Sequence, residues 1–155
     1  MSKFPVSRRE KSEMTHALDS NELTNIIKEF MDPPPPIVTE DTIDTINHDT
    51  IFLYQKDGKG TVGHWTCILK RGENKVEYFD SYGENYGIDV VKPYISQYRI
   101  EKSRFPLQAS KPAIQDCGVW VADRLKHRDK SYSEYVNMVR RSGPNHDLYV
   151  VRDVY

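Results

Sequence analysis

Cys117, within Gln115-Asp116-Cys117-Gly118-Val119-Trp120-Val121, puts a thiol where a polar loop turns into an amphipathic helix. The positive dipole end and free N–H groups of such a helix favour the thiolate, the nucleophilic form of the side chain. Upstream, Gly63-His64-Trp65 opens one strand-like run and Phe79-Asp80-Ser81-Tyr82-Gly83 closes the next. A sulfur, an imidazole and a carboxylate are the parts of an acyl-transfer site. The imidazole takes and returns protons, while the carboxylate holds its tautomer and steadies its charge. These residues point to a cysteine hydrolase, foremost a protease.

Three distant residues can meet only if the elements carrying them are arranged to do so. Thr50–Tyr54, His64–Lys70 and Lys75–Asp80 are rich in β-branched and aromatic residues and read as strands. Gly58, Gly60 and Gly63 punctuate the first connection, and Arg71-Gly72-Glu73-Asn74 turns the second. A turn centred on Gly72 sets His64 opposite Asp80, Thr66 opposite Tyr78 and Ile68 opposite Val76. Opposed Cβ atoms on one sheet face lie about 4.5–5.5 Å apart, which suits a carboxylate–imidazole hydrogen bond. Trp65, Cys67, Leu69 and Phe79 then fall on the other face. A one-residue slip would instead set His64 opposite Ser81 and turn Asp80 away. The first register is preferred because odd-numbered glycine loops are common in hairpins.

Asp19-Ser20-Asn21-Glu22 caps a helix carrying Leu23, Ile26, Ile27 and Phe30, which Pro33 to Pro36 end and stiffen into a polyproline spacer. The run around Val90–Tyr98 reads as a helix with Pro93 in its first turn. Arg104–Gln108 reads as a short strand. Helices follow from about Cys117 to His127 and from Ser131 to Arg141, and Leu148–Tyr155 reads as a closing strand. The sum is an α+β fold, a central mixed β-sheet flanked by helices. Residues 1–17 are read as a flexible arm, mildly basic and without apolar periodicity over its first 13 residues, and residues 18–155 as a single domain.

Bulk composition narrows the classes. The chain has 155 residues, enough for one core without staples, and a net charge of −1, so no global field attracts nucleic acid or membrane. Ten tyrosines suit contact with peptide or protein. Two cysteines without a CxxC pair suit a reducing compartment. No apolar run reaches the roughly 20 residues of a membrane span. Ligand-pair spacing for structural zinc is lacking, so neither a metal nor a cofactor is expected. Arg124, Lys126, His127, Arg128 and Lys130 form a local basic cluster suited to a helix C-terminus. Cys67, between apolar neighbours, reads as a buried residue, and Trp120 as core.

Gly63-His64-Trp65, Tyr78-Phe79-Asp80-Ser81-Tyr82-Gly83 and Asp116-Cys117-Gly118-Val119-Trp120, in the order His, Asp, Gln, Cys, resemble the cysteine proteases of clan CE. That group includes the SUMO-specific proteases and the adenovirus-type endopeptidases. Papain-like enzymes run in the opposite order, nucleophile first. The resemblance covers about Leu18 to Arg141. It implies the adenain/SUMO-protease type of cysteine protease fold, with Cys117 as nucleophile, His64 as base and then acid, and Asp80 orienting His64. A glutamine ahead of the cysteine would add its amide to the Cys117 N–H in an oxyanion hole. Gln108 is preferred, although its distance from Cys117 is slightly long for the family, with Gln115 in reserve. Trp65 resembles an aromatic residue lining a narrow, substrate-binding channel that admits glycine-rich segments.

The chain lacks the long segments with which cellular SUMO proteases hold a whole ubiquitin-like fold. It looks more like the viral maturation proteases that cut capsid or core precursors. The resemblance therefore implies a monomer acting on protein or peptide substrates, away from membranes. A peptide or nucleic-acid activator, as some relatives use, stays open. The expected setting is the virion and host cytoplasm if the chain is viral, and the cytoplasm or nucleus of a cell otherwise. The alternative is an isopeptidase that removes ubiquitin or a ubiquitin-like modifier.

Overall fold

The computed structural model describes residues 5–55 and 63–155, which form an α+β fold around one five-stranded mixed sheet. Gly58 and Gly60 lie outside the described residues. The strands stand side by side in chain order: β1 (Ile37–Thr39), β2 (Thr50–Tyr54), β3 (His64–Lys70), β4 (Lys75–Phe79) and β5 (Arg99–Lys102). The β2–β3 and β3–β4 pairs are antiparallel, whereas β1 and β5 run parallel to their neighbours. Among the described residues no helix is long and apolar enough to cross a membrane.

Helices cover both faces, so the central strand is apolar on both sides. Trp65 through Leu69 are all buried. Trp65, Cys67, Leu69, Ile51 and Phe79 join the larger core with α2 (Ser20–Lys28), α4 (Cys117–Lys126), α5 (Tyr132–Arg141) and α6 (His146–Val154). Phe52, Ile68, Val76 and Tyr78 face a smaller core closed by Ile46, Ile95 and α3 (Ile88–Val91).

Four segments differ from the reading of the sequence. The N-terminal region, taken as a flexible arm, carries α1 (Arg8–Thr15). Ser7 and Glu10 form a capping box there, Met14 is buried, and Glu10 pairs with Arg152 of α6. The expected strand at Leu148–Tyr155 is the helix α6. Its β-branched valines imitate a strand, but Asn145 accepts a hydrogen bond from the Leu148 N–H and caps a helix. The helix expected over Val90–Tyr98 is shorter, α3 followed by a 3-10 turn at Lys92–Tyr94 that contains Pro93. The strand expected at Arg104–Gln108 lies earlier, as β5. Residues 104–108 are irregular, and both the Arg104 and Phe105 N–H groups donate to Tyr132 Oη. The short β1, after the prolines, has no counterpart in the sequence reading.

An ion pair ties α4 to the sheet inside the larger core. Arg124 and Glu77 are both fully buried, with Arg124 Nε 2.8 Å from Glu77 Oε2 and Nη2 2.7 Å from Oε1. Arg124 also donates to the carbonyls of His127 and Lys130. Removing one partner strands a charge in a medium that cannot hydrate it. Glu77→Ala is therefore expected to cost about 3–5 kcal/mol, read as a lower melting temperature, while a paired apolar replacement of both residues costs far less.

Candidate active site

The β3–β4 hairpin turns around Glu73, one position beyond the expected centre. Cys67 faces Phe79, Ile68 faces Tyr78 and Lys70 faces Val76, so the preferred register is corrected. His64 lies past the last pair and is not directly opposed to Asp80. The shift is nevertheless even in the pleat, so both residues keep the same face and meet diagonally. His64 Nε2 lies 2.6 Å from Asp80 Oδ1. The slip that would have turned Asp80 away does not occur.

Asp80 is fully buried and its acceptor positions are filled from one tight loop. Oδ1 also accepts from the Tyr82 N–H at 3.0 Å, and Oδ2 from the Tyr86 N–H at 3.1 Å. Gly83 closes the turn with a positive φ of 74°, its N–H donating to the Asp80 carbonyl. A Cβ there would come within 2.8 Å of the Phe105 backbone, so only glycine fits. Burial alone would raise the Asp80 carboxyl, but the His64 hydrogen bond and the two backbone donors bring it below its ordinary value. Burial alone would likewise lower His64. The hydrogen bond to Asp80, and then the influence of the Cys117 sulfur, overcome it and raise the ring to about 9, so His64 is an imidazolium at neutral pH.

Cys117 is the first residue of α4 and is 8% exposed. Its Sγ accepts from the Trp65 N–H at 3.4 Å, so the strand that carries His64 also touches the sulfur. Close packing fixes this approach. A Cβ on Gly118 would lie 3.1 Å from Leu18 Cδ1 and 3.2 Å from Trp65 Cδ1, and Trp65 Nε1 donates to the Leu18 carbonyl at 3.0 Å. Trp65 is thus chiefly a packed residue whose edge reaches the cleft.

Tyr82 stacks on the His64 ring with centroids 5.1 Å apart, and Tyr86 meets it edge-on at 5.8 Å. Reading the sequence gave neither tyrosine a role. Their signal was local, since both follow Asp80 by a few residues in the loop that must wrap it. Gln108 is buried, accepts from Ser81 Oγ at 2.6 Å, and donates from Nε2 to Tyr82 Oη at 3.1 Å. His64, Trp65, Tyr82, Tyr86, Gln108, Gln115 and Cys117 all line one open cleft of about 610 Å³, which Leu18 and Ser20 border from the other side. Gln115 is bound through its backbone N–H to the Met14 carbonyl.

Asp116 lies beside the nucleophile candidate without capping α4. It is fully buried, and neither carboxyl oxygen meets a donor among the described residues. Burial, with the charge of Asp147 next to it, pushes the carboxyl up to about 10. It is neutral at pH 7 and can donate to Asp147, whose two oxygens accept from Trp120 Nε1 and the Ala109 N–H.

The basic cluster at the end of α4 is largely neutralised within the fold. Arg124 pairs with Glu77, Arg128 with Asp49, and Lys126 and His127 with Asp153.

No protein-family model matches the chain. An uncharacterized protein of Sputnik virophage is 28% identical in an alignment that covers 66% of this chain and 72% of that protein. Among solved structures, the central domain of an uncharacterized protein from Legionella pneumophila aligns over 94% of this chain and 90% of its own, at 13% identity and a TM-score of 0.39.

Proposed function

We propose that the protein is a cysteine endopeptidase of the adenain/SUMO-protease type. The observation that carries this reading is that His64, bonded to Asp80, and Cys117, bonded to the N–H of the next residue Trp65, line one cleft. Asp80 holds the imidazole from behind, and the ring's other side serves the sulfur. With the proton already on His64, Cys117 Sγ attacks the scissile carbonyl carbon as a thiolate, forming a tetrahedral oxyanion. The Cys117 N–H and the Gln108 amide receive that negative charge. Collapse expels the amine, which takes the proton from His64 and leaves a thioester on Cys117. Water, deprotonated by His64, then hydrolyses the thioester and frees the thiol.

Tyr82, Tyr86 and Trp65 narrow the cleft with aromatic surface, which favours substrates with glycine near the scissile bond. The relative in a virophage supports a viral setting. On this reading the substrates are viral structural or precursor proteins and the place of action is the virion and host cytoplasm.

The test is digestion of candidate structural proteins followed by mass spectrometry of new termini. Cuts next to glycine support the reading, and intact precursors at long incubation count against it. Labelling of Cys117 by a ubiquitin-like vinyl-sulfone probe, without such cuts, would favour an isopeptidase on the same site.

A further inference from the structure

Away from the cleft, the C-terminal parts of α4 and α6 bring together Asp123, His127 and Asp153, with one ligand atom of each within 4.8 Å of the others. His127 Nε2 stands 2.8 Å from Asp153 Oδ2 and 3.7 Å from Asp123 Oδ1. Tetrahedral ligands about 2.0–2.1 Å from zinc are separated from one another by about 3.3–3.4 Å, which these two spacings bracket.

Both carboxylates are engaged from outside the cluster through one oxygen. Tyr135 Oη donates to Asp123 Oδ2 at 2.7 Å, and Lys126 Nζ lies 3.6 Å from Asp153 Oδ1. That leaves Asp123 Oδ1 and Asp153 Oδ2 directed at the His127 ring, an outer shell of the kind that orients metal ligands. Asp123 is fully buried, and its Oδ1 meets no hydrogen-bond donor among the described residues. Facing a second carboxylate and an imidazole, that buried oxygen is satisfied by a cation, or by a proton shared with Asp153 when no cation is bound. His127 and Asp153 are 23% and 25% exposed, which leaves a path for an ion and for a water as fourth ligand.

We propose that Asp123, His127 and Asp153 form a zinc(II) site that clamps α4 to α6. An imidazole with two carboxylates suits zinc better than magnesium or calcium, which prefer all-oxygen shells. The site braces the helix that carries Cys117 at its other end, and it stands independently of the chemistry assigned to the cleft. Asp123 and His127 sit one helical turn apart. The third ligand comes from α6, which reads as a strand in the sequence, so no ligand-pair spacing was apparent.

The experiment adds zinc chloride to chelator-treated full-length protein and reads calorimetric stoichiometry and melting temperature. One equivalent is expected to bind, with a rise of about 5 °C or more at saturation. His127→Ala and Asp153→Asn should each weaken binding at least about tenfold and remove the rise, whereas Cys117→Ala should keep both. Cobalt(II) in place of zinc should give visible d–d bands without a thiolate charge-transfer band. Absence of zinc uptake, zinc binding unchanged in His127→Ala and Asp153→Asn, or loss of binding in Cys117→Ala would each overturn the proposal.

Discussion

Cys117→Ala is expected to lower peptide hydrolysis by about a million-fold in kcat while leaving the fold intact. The sulfur is the only protein atom in the proposed mechanism that bonds to substrate carbon, and alanine offers no replacement. The structural cost is small because Cys117 is the first residue of α4, with one hydrogen bond to its sulfur at 3.4 Å. A steady-state assay with a glycine-containing peptide, beside a thermal melt, separates the two effects. Residual turnover within tenfold of wild type would mean that the nucleophile lies elsewhere.

Asp80→Asn is expected to lower kcat by about 10^4-fold, because an amide cannot hold the imidazole in the same tautomer or stabilise its charge. Both Asp80 oxygens accept from N–H donors, so an asparagine must aim its own N–H₂ at one of them. That buried donor-to-donor contact adds about 1–3 kcal/mol of instability. The same kinetic assay and melt check both numbers. A catalytic loss no larger than the effect of stability alone would reduce Asp80 to a turn former.

The hairpin shows how far the sequence could lead. Two strand-like runs and the face shared by His64 and Asp80 were readable from β-branched residues and pleat parity, because burial demands both. The register was not readable. Gly72, with φ +83°, looked like the turn centre, but the Arg71 N–H closes onto the Lys75 carbonyl one step further on. Parity preserved the pairing even though the turn moved. Cys117 at a helix start was visible because apolar spacing switches period there. Gln108 reaches the cleft from irregular chain, not from a strand, and Leu18 borders it from the connection between α1 and α2. Neither position follows from local pattern, since both depend on tertiary packing. Valines at 150, 151 and 154 misled the reading of α6, whose helical form is set by the Asn145 cap and by burial of Leu148 and Val151.

The ion pair at His64 also sets a pH dependence. A ring raised from 6.5 to about 9 gives stability that is complete below about pH 6.5 and is lost as pH rises through about 9. NMR titration of the His64 ring protons in wild type and Cys117→Ala reads this directly. A wild-type midpoint near 9 that falls when the sulfur is removed would show the imidazole held between Asp80 and Cys117. A midpoint near 6.5, or one that ignores Cys117→Ala, would show that the three side chains do not act together.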